Sequence, residues 1–350
     1  MMYQKLRQFL READGVFLTS PHNLRYFTGF RGGEGIALIT GESRYLFVDS
    51  RYTVAAGLEA PDFEVVEFGA GQRNAEIAQR LSGIRSLVFE DEFLTVQEFR
   101  GFQKAWEQVE WIGRSSEIEA LRMVKSEEEL RWMREAEQIG VDAFLAVIPE
   151  IRPGAAENEI AAELEYQMRR GGAEGTSFET IVVSGQKASM PHGKPDGKKL
   201  AYGDFVTMDF GCRFGGYCSD MTRTVVVGKA SGEQKKIYAA VLAAQQKGLD
   251  TIRAGILGRD ADRAARAVIE EAGYGRFFGH ALGHGVGLLI HELPNLSPRC
   301  EIRLEPGMVV TCEPGIYVPG LGGVRIEDMV RVTGDGMENL TRLSKELLEL

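Results

Sequence analysis

The chain has 350 residues, of which 44% are hydrophobic and 26% charged, as in a water-soluble globular protein large enough for more than one core. Its net charge of −10, with no Lys/Arg-rich tract to offset it, argues against a nucleic-acid partner. No run approaches the ~18 uninterrupted apolar residues of a spanning helix, and the charged, amphipathic start MMYQKLRQFLREADG is not a signal peptide. Cys212, Cys218, Cys300 and Cys312 form no paired CxxC motifs and read as free thiols of a reducing compartment. A soluble, cytoplasmic protein with no membrane partner is expected.

Residues 3–13 carry a helical pattern with Leu6, Phe9 and Leu10 on one side. Strand-like segments follow at 15–19, 35–40, 45–49 and 63–68, then a helix near 72–81, a strand at 86–90, a helix around 95–104 and a last strand, QVEWI. This alternation predicts a small α/β domain over residues 1–113, followed by a linker at 114–124. It holds no complete catalytic constellation, and its His22 stands alone between Pro21 and Asn23 in a loop. The stretch NLRYFTGFRGGEG at 23–35 combines three aromatics with four glycines. It reads as a loop that folds over a ligand in its own subunit or a partner's, or as a turn exposing aromatics.

A second domain is expected over residues 125–350. It opens with a long helix to about 148, with Leu130, Met133, Ile139, Phe144 and Leu145 as an imperfect apolar stripe. A second helix starts near Pro153 and stops at Gly171-Gly172. Strands follow at 180–185, 204–211 and 221–228. Ser231 and Gln234 form a capping box for a third helix to about Leu249, and a fourth runs from Asp260 to Ala272. Strands at 307–315 and 323–333 complete the chain. The sequence shows no convincing internal repeat, yet the order of two helices then strands occurs twice. Antiparallel sheet with helices on one face fits that order better than parallel βαβ units, and no GxGxxG stands at a strand-to-helix junction.

The chemistry concentrates between His280 and Glu327. Three of the five histidines, His280, His284 and His291, fall within twelve residues and sit among glycines. Such a segment is poor helix material and brings backbone close to something small. A hairpin centred on Phe214-Gly215 places Asp209 opposite Asp220. A second, symmetric about Gly320, places Glu313 opposite Glu327, with Arg325 on the same strand face as Glu327. Directly opposed carboxylates in apolar strands repel, and cations between them remove the difficulty. Four carboxylates and His284 suit two divalent ions better than one. The absence of thiolates from this set favours Mn, Co or Fe over copper and leaves zinc open. The alternative is burial of these acids as salt bridges to Arg223 and Arg325.

The motifs MDFG, SDMTRTVVVG, GHGVGLLIHELP, EPGIY and GGVRIED resemble those of the pita-bread metallopeptidases, the group of prolidase, aminopeptidase P and methionine aminopeptidase. The preceding domain with YFTGF is similar to the N-terminal domain of the proline-specific branch. The resemblance implies an α+β protein: a C-terminal pita-bread (creatinase/aminopeptidase) domain preceded by a smaller creatinase-like α/β domain. It implies that Asp209 holds one metal, that His284 and Glu313 hold the other, and that Asp220 and Glu327 bridge both. Glu313 would also shuttle the proton of the nucleophilic water. His192, in SMPHGKP, and His291 would contact substrate beside the scissile bond, with His280, Tyr317 and Arg325 lining or orienting the same pocket.

The implied activity is hydrolysis of the N-terminal Xaa-Pro bond of small peptides by attack of a metal-bridging hydroxide. The cofactors would be two Mn(II) or Co(II) ions per subunit, with Zn(II) or Fe(II) as further candidates. A dipeptide-restricted prolidase is the alternative, and a non-catalytic peptide-binding scaffold of the same fold is a third reading. Asn295 follows HELP where proline-specific relatives often carry arginine, which tilts the expectation toward longer peptides. Met329, in EDMV, departs from the usual pattern only in packing. A homodimer is implied by the N-terminal domain, with residues 26–35 as a lid.

Overall fold

A computed structural model describes residues 2–350. The chain divides into two compact units, with the division between Arg122 and Met123.

In the first unit a 3₁₀ helix, Met2–Arg11, buries Leu6 and Phe9. Then come β1 (Gly15–Leu18), α1 (Pro21–Thr28), β2 (Ile36–Thr40), β3 (Arg44–Asp49), α2 (Thr53–Glu59), β4 (Glu64–Phe68) and α3 (Arg73–Arg80). The unit closes with β5 (Ser86–Phe89), α4 (Val96–Ala105), β6 (Glu110–Gly113) and α5 (Ser115–Ala120), the last inside the segment expected to be a linker. The strands form one mixed sheet, β4-β3-β2-β1-β5-β6, over a core that includes Phe17, Phe102 and Trp106.

The expected loop at 23–35 is half helix. Ser20 caps α1 by accepting from Asn23 N, Pro21 starts it, and Gly29 ends it in a left-handed conformation (φ 89°). His22 therefore lies in a helix and not in a loop. Tyr26, Phe27 and Phe30 are buried, so the aromatics thought to form a lid are not surface side chains.

In the second unit Ser126, in a capping box with Glu129, starts α6 (Glu127–Val147), and α7 (Glu157–Arg170) follows. Of the expected stripe on α6, Leu145 is 54% exposed and belongs to the outer face. Next are β7 (Gly175–Thr176), β8 (Ile181–Ser184), β9 (Phe205–Phe210), β10 (Cys212–Phe214), β11 (Tyr217–Cys218) and β12 (Met221–Val226). Then come α8 (Gly232–Thr251), which has the Ser231/Gln234 capping box, and α9 (Gly258–Glu271). The chain ends with β13 (Gly283–Gly285), β14 (Glu292–Leu296), β15 (Val309–Cys312), β16 (Gly315–Val318), β17 (Gly322–Arg325), β18 (Asp328–Val332) and β19 (Met337–Asn339). Every ladder between these named strands is antiparallel.

Strand alternation decides which side chains meet the helices. Val206, Met208 and Phe210 of β9, with Met221 and Val225 of β12, pack against α6 and α7. Val310, Cys312, Val324, Ile326 and Val330 pack against α8 and α9. Asp209, Thr222, Thr311 and Arg325 occupy the intervening positions and point away from the helices. The two helix-backed halves of this unit meet on those faces, where Thr222 bonds Glu327 and Thr224 bonds Arg325 O.

Register corrects one expectation and supports another. Asp209 faces Thr222 and not Asp220. The turn is Gly215-Gly216, both left-handed (φ 56° and 78°), with Phe214 opposite Tyr217, so the centre lies one residue later than expected. That moves the pairing by two residues, which leaves Asp209 and Asp220 on the same face. Around Gly320 the register is as expected: Gly315 faces Arg325 and Cys312 faces Asp328. The ladder opens between those pairs, at Glu313-Pro314, where proline has no N–H to donate.

Candidate metal centre

Five candidate ligands from separate elements reach one cavity of about 460 Å³. Asp209 comes from β9, Asp220 from the break before β12, His284 from the middle of β13, Glu313 from the ladder opening after β15, and Glu327 from the residue before β18. His192, His280, His291 and Arg325 line the same cavity. Tyr317 does not; it lines an adjoining cavity that also touches His192 and His280.

His284 is oriented by its own backbone. Its Nδ1 lies 3.1 Å from Gly285 O, and since a carbonyl only accepts, Nδ1 carries the proton. Nε2 is then aimed at Glu313 Oε1 (3.3 Å) and Asp220 Oδ2 (3.5 Å). A lone pair facing two carboxylates is repelled unless a proton or a metal ion stands between them. Burial pushes the imidazole pKa down, but the hydrogen bond and charge of Glu313 carry it above its ordinary value. Burial pushes Glu313 up, yet the hydrogen bond and charge of His284 bring it down to about 2. Burial first, and then neighbouring carboxylates, raise Asp220 and Glu327 well above the usual range. The cluster carries more negative charge than its own cations balance.

Two further observations fit a metal. Ligand atoms of Asp220, His284 and Glu327 lie within 4.8 Å of one another, a grouping that could hold a metal ion. Asp209 Oδ2 accepts from Arg325 Nη2 at 2.5 Å, whereas Oδ1 is buried with no hydrogen-bond partner among the described residues. A buried carboxylate oxygen without a donor is costly, and a cation in the cavity satisfies it. The salt-bridge alternative accounts for only one of the four acids. Arg325 meets Asp209 through one oxygen, and Arg223 pairs with Asp328, which lies outside the set.

Arg325 is fixed on several sides. Its Nε donates to Thr222 Oγ1 (3.0 Å), and its Nη1 donates to the Tyr317 hydroxyl (2.8 Å) and Pro191 O (3.4 Å). The Tyr317 hydroxyl lies 2.9 Å from His280 Nε2, whose ring donates through Nδ1 to Ala281 O. Tyr317 therefore donates to His280 while accepting from Arg325. His291 stands edge-on to His284, with ring centroids 4.3 Å apart. Burial, then the neighbouring His284, lowers the pKa of His291.

Sequence reasoning missed three supporting residues. Thr222 donates to Glu327 Oε2 at 2.7 Å, and Thr311 donates to Glu313 Oε1 at 3.0 Å while accepting from His284 N. Each threonine stands two residues from an expected ligand, Asp220 or Glu313, so period-2 spacing marks it. The third, Glu137 of α6, is fully buried and accepts from Asp220 N (3.3 Å) and Thr341 Oγ1. Burial, against those hydrogen bonds, raises its pKa to about 8. Its only signal was an acid in an otherwise apolar helical stripe.

Residues 131–334 match Metallopeptidase family M24, and residues 3–124 match the Creatinase/Prolidase N-terminal domain. The chain belongs to metallopeptidase family M24. As a member of that family it is an enzyme, a hydrolase. It is 39% identical to an Xaa-Pro dipeptidase of Pyrococcus furiosus, with 99% of each chain covered. Among solved structures it is similar to an Xaa-Pro dipeptidase from Bacillus anthracis (44% identity, TM-score 0.97, covering 100% of this chain and 99% of that one). It is also similar to an X-Pro aminopeptidase from Thermotoga maritima (39% identity, TM-score 0.93, covering 99% and 100%). The fold matches the family expectation of an α+β metallopeptidase domain preceded by a smaller creatinase-like domain. Among the described residues no helix is long and apolar enough to cross a membrane.

Proposed function

We propose that this M24 enzyme is an Xaa-Pro dipeptidase, cleaving Xaa-Pro dipeptides between the first residue and proline with two divalent metal ions. The observation that carries the reading is the small cavity in which all five candidate ligands meet an apolar wall of Phe178, Ile181, Ile290 and Pro191. Proline in the second position makes the scissile bond a tertiary amide with no N–H, so an apolar wall loses no hydrogen bond to it. The similarity to dipeptidases over nearly the whole chain supports this reading over the preference for longer peptides that Asn295 suggested.

Asp209, Asp220, His284, Glu313 and Glu327 would hold the ions. Mn(II) or Co(II) suits this oxygen-rich set, with Zn(II) or Fe(II) as alternatives. When bound, such ions would supply an acidic water molecule as nucleophile and positive charge for the scissile carbonyl. Glu313, which accepts from Thr311 at 3.0 Å, would take the proton of that water and return it to the leaving proline nitrogen. His291, with its lowered pKa, is neutral near pH 7 and can donate to the carbonyl oxygen from the cavity wall. His192 lines the same wall and would orient the substrate beside it. His280, Tyr317 and Arg325 form a hydrogen-bonded brace behind Asp209.

The test compares Ala-Pro, Ala-Pro-Ala and Ala-Ala with Mn(II) present. Ala-Pro should be cleaved fastest, dialysis against chelator should abolish hydrolysis, and added Mn(II) or Co(II) should restore it. Cleavage of Ala-Ala as fast as both proline substrates would overturn the proline assignment. A metallated protein inert to both proline substrates would overturn the Xaa-Pro reading.

An aminopeptidase acting on longer Xaa-Pro peptides is the second reading, favoured by the adjoining cavity of about 640 Å³ that shares Pro191, His192 and His280 with the first. Faster cleavage of Ala-Pro-Ala than of Ala-Pro would establish it. The N-terminal domain match supports a homodimer as well, and light scattering giving a monomer mass across micromolar concentrations would reject that.

A further inference from the structure

A dipeptide carries a charge that longer peptides lack next to proline: the free carboxylate. The cavity holding the metal-ligand set must provide for that charge if dipeptides are to be preferred. Among its lining residues Asn295 offers only a neutral amide. Arg325 is buried, with its donors engaged by Asp209, Tyr317, Thr222 and Pro191 O. His280 is turned to Ala281 O and Tyr317, and His284 to the ligand carboxylates. The remaining full cation on that wall is Lys194, whose Nζ meets Glu179 Oε2 at 2.7 Å, with both side chains mostly exposed (72% and 68%).

We propose that Lys194 selects dipeptides by receiving the free carboxylate of the proline residue, exchanging Glu179 for it. The inference rests on the Xaa-Pro reading above. Its position suits the task. Lys194 follows His192 by two residues, so its backbone lies within roughly 7 Å of a histidine on the same wall. In Xaa-Pro the carboxylate lies one residue, about 3.5 Å of chain, beyond the scissile nitrogen. The exchange is also cheap. An exposed Lys–Glu pair contributes little, because water screens it and both long side chains lose freedom in holding it. A bound substrate would hold its carboxylate at the cavity wall already oriented, so little further freedom is lost in meeting Lys194. Glu179 then acts as a placeholder that competes with substrate and keeps Lys194 at the wall between turnovers. Arg276 is the rival cation. It stacks on the Phe277 ring at 4.5 Å and lines the adjoining cavity, outside the one that holds the ligands.

The experiment measures kcat and KM for Ala-Pro and for its C-terminal amide, Ala-Pro-NH₂, on the Mn(II)-loaded enzyme. The amide keeps proline and the scissile bond and removes only the charge. The wild-type chain should prefer Ala-Pro by about tenfold or more in kcat/KM. Lys194→Met should bring the two substrates to within about threefold, by raising KM for Ala-Pro with kcat little changed. Lys194→Arg should keep the preference, and Arg276→Met should leave it intact. Glu179→Gln should lower KM for Ala-Pro and not for the amide, because the competing carboxylate is gone. Lys194 is exposed, so its variants should fold, and turnover of the amide reports an intact metal centre. An unchanged preference in Lys194→Met, or its loss in Arg276→Met, would overturn the inference. A wild-type enzyme that cleaves neither substrate would instead overturn the Xaa-Pro reading, and this inference with it.

Discussion

Asp209 has two oxygens with different surroundings. Oδ2 is bound by Arg325, while Oδ1 is buried with no hydrogen-bond partner among the described residues. Asp209→Asn keeps the shape and removes the charge that a cation would neutralise. It should reduce bound metal to about half or less and turnover by about 100-fold or more, with the far-UV spectrum unchanged. Metal analysis beside circular dichroism checks this, and full occupancy would remove Asp209 from the ligand set. Thr222 tests the support behind the ligands. Its hydroxyl donates to Glu327 and accepts from Arg325 Nε. Thr222→Val removes both bonds at nearly constant volume and leaves the buried Arg325 Nε without that acceptor. Metal affinity should fall by roughly 10–100-fold, and stability by about 1–3 kcal/mol. Titration of the apoprotein with Mn(II) reads the first effect, and urea unfolding reads the second.

At the scale of elements, β13 explains its glycines. A Cβ at Gly283 would lie 2.1 Å from Thr311 O, and one at Gly285 would lie 2.4 Å from Leu293 O. The small neighbours inferred from this glycine-rich stretch are therefore adjacent strands, with His284 between them as the one residue turned to the ligands. Gly283→Ala should cost about 2–3 kcal/mol and displace His284, whereas Gly334→Ala, in open space, should be nearly neutral in thermal unfolding. The same glycines hid β13 from sequence reasoning, because strand propensity penalises what close strand packing requires. The Glu313–Glu327 pairing was legible because Gly320 marks the turn and both arms are alternating and apolar. The Asp209 pairing was misjudged because three residues, Phe214, Gly215 and Gly216, offered two turn centres, and only the later one gives both left-handed positions to glycine. The helix α1 was hidden by Gly29, Gly32 and Gly33, which suggested a loop around it although only Gly29 terminates it.

At the scale of the second unit, the ligands lie on a seam. Asp209 and Asp220 belong to the half backed by α6 and α7, and His284, Glu313 and Glu327 belong to the half backed by α8 and α9. Arg223 of β12 crosses the same seam, donating to Glu327 O and Leu343 O and pairing with Asp328 at 2.8 Å, with both side chains buried. Arg223→Met would leave Asp328 with Lys345, Gln245 and Asn339 but without its guanidinium. Breaking a buried pair from one side costs about 3–5 kcal/mol, and the remaining partners should hold the loss to the lower end. Equilibrium denaturation measures it, and a loss below about 1 kcal/mol would mean that the seam does not depend on this pair.

Ions bound between the halves would act as rivets as well as reagents. Separating the halves would scatter their ligands, so metal binds the closed arrangement and shifts the unfolding equilibrium by mass action. At roughly a hundredfold excess of ion over its Kd the gain is about 2.7 kcal/mol, or about 5–10 °C in Tm for a unit of this size. The chelated protein should melt correspondingly earlier, and Asp209→Asn should respond less to added Mn(II) than the wild-type chain. Thermal tolerance of this enzyme would then follow the metal supply of its surroundings, and a shortage would be felt as fragility alongside lost turnover.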